Sequence, residues 1–158
     1  MTMFQDGGFL LFRRATLADV PVYARLRREL WNDDTLADHE QQIIDLLQKP
    51  ETQSLILLAF STNAACCGFA EASMRYDYVN GCTSSPVAFL EGIYVVPAER
   101  QRGVARGLVE QITHWARQNG CTELASDAEL TNTDSLAMHR ALGFDETERV
   151  IFFSKGLI

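Results

Sequence analysis

"FLEGIYVVP" at residues 89–97 runs almost directly into "RQRGVARGL" at residues 100–108. The first stretch is apolar enough for a central strand. The second opens a helical pattern, in which Val104, Leu108, Ile112 and Trp115 share a face. Between them, Arg100, Arg102 and Arg106 stand among Gly103 and Gly107. A helix start presents unpaired N–H groups and the positive end of the helix dipole. Small residues at 103 and 105 let an anion approach the backbone, and the arginines add charge. No Gly-Lys-Ser/Thr follows, so this is not a Walker loop, and the Gly-x-Gly-x-x-Gly dinucleotide fingerprint is absent. The spacing fits a pyrophosphate cradled mainly by backbone amides. The alternative is a plain helix cap with solvated arginines.

Working outward, "FLLFRRA" (9–15) reads as a first strand. "TLADVPVYARLRRELW" (16–31) has Thr16 as N-cap and Asp19 in the first turn, with Val20, Tyr23, Arg27 and Leu30 at helical spacing. A second helix spans about 36–48, closed by Pro50. "SLILLAF" and "CCGFAEASMRYDY" are strands around the turn "STNAA", and Asn80-Gly81 marks a loop. "VAFLEGIYVV" is a central strand despite Glu91 and Gly92, and its mid-strand glycine predicts a bulge. A helix over about 103–119 stops at Gly120, "TELASDA" is a strand, "SLAMHRAL" a short helix ended by Gly143, and "ERVIFFSK" a last strand. One apolar sheet with helices on its faces follows, a mixed α/β or α+β fold.

The chain has 158 residues, 47% hydrophobic and 22% charged, with a net charge of −7. That is one domain with a real core, read as residues 9–158 behind a loose extension at 1–8. The negative charge disfavours nucleic acid and anionic membranes and permits a cationic substrate. Cys66, Cys67, Cys82 and Cys121 lack metal spacing, and His39, His114 and His139 do not cluster with them. No metal site is expected. Reduced thiols, three of them packed in strands, fit a cytoplasmic protein. The N-terminal apolar run is too short for a signal peptide, and no window approaches a membrane span.

The segment Arg100-Gln101-Arg102-Gly103-Val104-Ala105 resembles the Arg/Gln-x-x-Gly-x-Gly/Ala acyl-CoA loop of the GNAT superfamily of N-acetyltransferases, and it sits where that family places it. "NTDSLAMHRALGF" resembles the family's later helix, which ends in Gly143-Phe144 after a coenzyme-contacting Asn132. Within the superfamily, "ELW", "RYDYVNG", "SSPVAFLEGIYVVP", "ELASDA" and "HRALGFDETERVIFFSK" are similar to the type I aminoglycoside 6′-N-acetyltransferases. The resemblance implies a GNAT fold, splayed at its central strands to hold acetyl-CoA. It also implies acetyl transfer to the 6′-amine of drugs such as kanamycin and tobramycin, antibiotic resistance, and a homodimer. The aminoglycoside would meet Trp31, Tyr78, Glu91, Asp127 and Glu148. Acetyl-CoA would meet the backbone at Ile93, Tyr94 and Val95, then Arg100, Gln101, Arg102, Gly103, Val104, Ala105 and Asn132.

Residue chemistry agrees. A polycation calls for carboxylates that neighbours do not neutralise. Glu91 and Asp127 are candidates, with an ion pair to arginine and a loop cap as the respective alternatives. Glu148 lies in "DETER", which also reads as a solvated turn, and Trp31 and Tyr78 also read as core aromatics. Glu91 or Asp127, directly or through water, would take the ammonium proton. A bulge near Gly92 would free the N–H of Ile93 or a neighbour for the thioester oxygen. Many relatives place a tyrosine acid where this chain has His139. His139 donates to the leaving thiolate, or it is a packed histidine and no acid is needed. Two rivals share the coenzyme loop. One is an N-acetyltransferase for another small amine or a protein N-terminus, and the other is a non-catalytic acyl-CoA-binding module.

Overall fold

The structure, a computed structural model, describes residues 2–3 and 8–158. Its helices are α1 (Val20–Leu30), α2 (Leu36–Leu47), α3 (Val104–Gln118) and α4 (Thr133–Ala141). The strands are β1 (Thr2–Met3), β2 (Phe9–Arg14), β3 (Ser54–Phe60), β4 (Cys66–Arg75), β5 (Val87–Val95) and β6 (Leu124–Ser126). They form one sheet in sequence order, antiparallel throughout except that β5 and β6 run parallel. The expected extension at 1–8 lies largely outside the described residues.

Side chains of a strand alternate between faces. On β3, Leu55, Leu57 and Ala59 join α3 in one core, while Ile56 and Leu58 join α1 and α2 in the other. Two buried faces explain why "SLILLAF" is apolar without interruption. On α3, Val104, Leu108, Ile112 and Trp115 are all buried, as their spacing predicts. At Gly68 on β4, an added Cβ would stand 2.8 Å from the Tyr94 carbonyl oxygen and 3.3 Å from Val104 Cγ1. This close approach seats the start of α3 against the end of β5.

The bulge expected near Gly92 is present. Glu71 pairs with Gly92 and Ala72 with Leu90, so Glu91 is the extra residue. The terminal segment departs from expectation. Residues 145–158 adopt no strand, and Ile151, Phe152, Phe153 and Leu157 are 77%, 88%, 92% and 93% exposed. Strand propensity there is real, but a strand exists only where another offers hydrogen-bonding groups, and none among the described residues does so. All four cysteines are free. Two rather than three lie in a strand, Cys66 and Cys67, because Cys121 precedes β6 and Cys82 sits in a loop.

The first helical segment is tied to β2 by a two-pronged ion pair. Arg13 Nη1 and Nη2 lie 2.7 and 2.8 Å from Asp19 Oδ2 and Oδ1. Asp19 Oδ2 also accepts from Thr16 N at 2.7 Å. The Arg13 hydrogen bond, opposed by burial and aided by Thr16, lowers the Asp19 pKa from 3.8 to about 2. A carboxyl whose folded pKa is depressed stabilises the fold above its unfolded pKa. It loses that contribution as pH falls through the folded value. Asp19→Asn should therefore cost about 2 kcal/mol at pH 7. The gap from the parent should stay constant down to about pH 5 and close towards pH 2. Urea titrations across that range measure it, and a gap independent of pH would contradict the ion pair.

Candidate active site

The site begins where two strands part. The β5–β6 ladder consists of Ala88–Leu124, Phe89–Ala125 and Leu90–Ser126, and ends there. Beyond it, Glu91–Val95 keeps β4 on one side through Gly92, Ile93, Tyr94 and Val95. No strand among the described residues pairs with its other side. Glu91 and Asp127 each follow immediately on the last shared rung, at the mouth of this opening.

The two carboxylates differ. Glu91 receives Arg75 Nη2 at 2.9 and 3.0 Å on its two oxygens and the Ser73 hydroxyl on Oε1. The expectation of an unneutralised Glu91 is therefore corrected: Arg75, paired with Val87 at the end of β4, runs back along the sheet over Phe89 to reach it. The Arg75 guanidinium lies 3.5 Å from the centroid of the Phe89 ring, on a side chain still partly open to solvent. Asp127 is exposed and has no hydrogen bond or ion pair among the described residues. Glu148 is likewise exposed.

At the coenzyme loop, Gly103 is the N-cap of α3 with φ +82°, and Gln101 has φ +61°. Left-handed backbone suits glycine and strains glutamine, which marks a loop held in shape by its surroundings. Gly107 N donates to Gly103 O at 3.0 Å, the first helical bond of α3. The N–H groups before it have no helical partner and lie at the positive end of a 15-residue helix. Gln101, Arg102 and Gly103 are exposed, Ala105 is half-buried, and Val104 is anchored in the core. Arg102 pairs with Glu99 at 3.5 Å. Arg100 turns inward, its Nε donating to Val95 O at 2.8 Å, which ties the loop to the end of β5. Asn132 caps α4, its Oδ1 accepting from Ser135 N at 3.1 Å.

His139 lies on α4 facing the parted strands. Its Nδ1 is 2.7 Å from the Ser135 carbonyl, which only accepts, so Nδ1 carries the proton. Nε2 is 2.8 Å from Ser126 Oγ, which itself lies 3.2 Å from Leu90 O. The one Ser126 proton serves either the Leu90 carbonyl, to which the hydroxyl donates, or an accepting neutral Nε2, and only an imidazolium has a proton to give there. Trp31 ends α1 and is half-buried against Gly92, where an added Cβ would collide with its ring. Tyr78 is 76% exposed on the loop after β4.

Sequence reasoning missed Arg75, Ser73, Ser126 and a buried group centred on Glu71. Ser126 was within reach, being one residue before Asp127 in "ELASDA". Glu71 carries the signal that singled out Glu91, a carboxylate inside an apolar strand.

The chain matches the model of the acetyltransferase (GNAT) family over residues 21–144. It is 55% identical over 130 residues to an aminoglycoside N(6′)-acetyltransferase type 1 of Acinetobacter genomosp. 13, covering 82% of this chain and 87% of the relative. Among solved structures it resembles the aminoglycoside antibiotic 6′-N-acetyltransferase AAC(6′)-Ih from Acinetobacter baumannii. The TM-score there is 0.89 at 44% identity, covering 94% of this chain and 99% of that one. It also resembles AAC(6′)-Iy in complex with the bisubstrate analogue CoA-S-monomethyl-acetylneamine, with TM-score 0.87, 42% identity, and 94% and 99% covered.

Gly103→Asp tests the loop. Aspartate tolerates left-handed backbone better than most residues, so the fold should survive. Its charge opposes an anion at the helix start. Acetyl-CoA affinity by calorimetry should fall at least about tenfold, with little change in melting temperature. Unchanged affinity would remove the loop from the coenzyme site.

Proposed function

The chain belongs to the acetyltransferase (GNAT) family, and from that premise we propose how its residues divide the work. It is an aminoglycoside 6′-N-acetyltransferase, which moves the acetyl group of acetyl-CoA onto the 6′-amine of the drug and so confers resistance. The observation that carries the division is the parting of β5 and β6 after the Leu90–Ser126 rung, beside the open start of α3.

Coenzyme phosphates suit the N–H groups around Gly103, Val104 and Ala105, with Gln101, Arg102 and the remaining Arg100 donors at the rim. The free edge at Ile93, Tyr94 and Val95 offers backbone groups to the amides of the coenzyme's arm, and Asn132 lies at the start of the neighbouring helix. An N–H on that edge is also placed to meet charge developing on the thioester oxygen.

The acceptor is a polycation, and its attacking amine must first lose a proton. Asp127 is the better base, because no neighbour among the described residues holds its lone pairs. Glu91 acts as a charge whose partner, Arg75, is exposed enough to yield to an ammonium. Trp31 and Tyr78 offer faces to sugar rings, and Glu148 adds peripheral charge. The thiolate leaves without help at little cost. His139 assists only when doubly protonated, since its neutral Nε2 is an acceptor.

Residues 9–158 form the catalytic domain in this reading, and free cysteines fit a cytoplasmic location. A homodimer is supported by the terminal arm, whose exposed Ile151, Phe152 and Phe153 are unpaired while β6 ends the sheet with three residues. A second copy related by a two-fold axis offers both an edge and an apolar cover.

Asp127→Asn keeps shape and removes the base. Its turnover of kanamycin should drop at least roughly tenfold at neutral pH. A pH profile matching the parent removes Asp127 from the site. Light scattering at micromolar concentration should give the mass of two chains. Full activity at the mass of one chain would rule the dimer out as a requirement.

A further inference from the structure

Under α1 and α2 lies a chain of buried polar groups that the reaction does not use. Glu71, on β4 opposite Gly92, accepts from the Tyr23 hydroxyl and from Arg27 Nε at 2.6 Å. Arg27 Nη1 reaches Gln42 Oε1 and, at 2.8 Å, His39 Nδ1. His39, fully buried, places Nε2 at 2.8 Å from the Trp31 carbonyl oxygen. Arginine is donor-only, so His39 Nδ1 must accept. Nε2 then carries the proton and donates to Trp31 O. The tautomer is set by its two partners, and the hydrogen bonds run in one direction from Arg27 to the backbone of Trp31. The Arg27 guanidinium also lies 4.7 Å from the centroid of the Trp31 ring.

Trp31 is the residue that ends α1, in extended conformation with φ −120° and ψ 92°. Its ring closes on Gly92, next to the bulged Glu91. The network therefore grips Trp31 twice, at its carbonyl through His39 and at its ring through Arg27. It also grips the sheet beneath the bulge through Glu71. Simple satisfaction of Arg27 needs Glu71 and Gln42 but gives no reason for His39 to reach the carbonyl of Trp31.

We propose that His39 is a positioning residue for acceptor recognition: as the Nε2–H tautomer set by Arg27, it holds Trp31 against Gly92 at the mouth of the acceptor site. The inference rests on the reading of Trp31 as an acceptor contact.

Two substitutions separate the two ends of His39. The amide oxygen of His39→Asn falls near the position of Nδ1, so it keeps an acceptor for Arg27 and loses the donor to Trp31. The amide nitrogen of His39→Gln falls near Nε2, so it keeps the donor and loses the acceptor. Positioning through Trp31 requires His39→Asn to raise the acceptor KM about fivefold, the worth of one hydrogen bond. Its kcat and acetyl-CoA KM should hold, and His39→Gln should stay nearer the parent. Equal effects, no effect, or the reverse order would overturn the proposal, because a purely structural histidine serves Arg27 first. Trp31→Ala is the control for the underlying reading. If it leaves the acceptor KM unchanged, Trp31 is not an acceptor contact, whatever His39 does. If the His39 variants fail to fold, nitrogen NMR of the parent decides. A single Nε2–H tautomer whose signal moves on kanamycin addition supports the proposal, and a protonated Nδ1 or an unmoved signal overturns it.

Discussion

A strand inside a sheet needs hydrogen-bonding partners on both edges. Among the described residues, β5 has them only as far as Leu90. The site depends on that one shortfall. The free edge lies among Ile93, Tyr94 and Val95, at the end of the strand that leads into the Gly103 loop. The extra residue Glu91 sits at the point of divergence, where a bulge increases twist and turns the strand aside. Gly92 follows because Trp31 occupies the space a side chain would need. The start of α3 is pressed against the same strand end by the contact of Gly68 with Tyr94 and Val104. Its unpaired N–H groups thus lie near the open edge rather than elsewhere on the surface.

Three carboxylates around this opening show how burial decides the fate of a charge. Glu71 is buried, and there an unpaired carboxylate would be prohibitively costly, so it is matched by Arg27 and a tyrosine hydroxyl. The Tyr23 phenol is in turn held well above its usual pKa by burial and by the Glu71 charge, and so stays a donor. Glu91 is half-buried and shares Arg75 with solvent. Asp127 is exposed and has no partner among the described residues. The progression runs from charge neutralised within the protein to charge free for a cationic ligand. A chain of net charge −7 reinforces it.

Most elements were legible because periodicity is a local property. The helix face of Val104, Leu108, Ile112 and Trp115, the unbroken apolar run of β3, and the stop at Gly120 were each written into short windows. The parallel neighbour of β5 was not, since β6 follows it only after the whole of α3 and its flanking loops. The terminal arm fails for the same reason from the other side. "ERVIFFSK" has every local mark of a strand, yet a strand is a relation between two segments, and this chain supplies only one of them among its described residues.

The site was legible in its backbone features and in which residue types stand where, but not in who partners whom. Glu71 and Glu91 present the same pattern, a carboxylate within an apolar strand, and only Glu91 also falls within the stretch that resembles the aminoglycoside acetyltransferases. Their fates diverge because of what lies above each. α1 lays Arg27 and Tyr23 over Glu71, whereas Glu91, displaced by the bulge, meets a cross-strand arginine at the solvent border. Arg27 likewise sat on the apolar face of its helix by spacing, which placed it inward without naming its partner. A buried arginine on such a face is a statement that a carboxylate exists somewhere in the core. Two carboxylates in this sequence, Glu71 and Glu91, stand within apolar strands, and it is the packing of α1 over β4, not the local pattern, that gives Arg27 to Glu71.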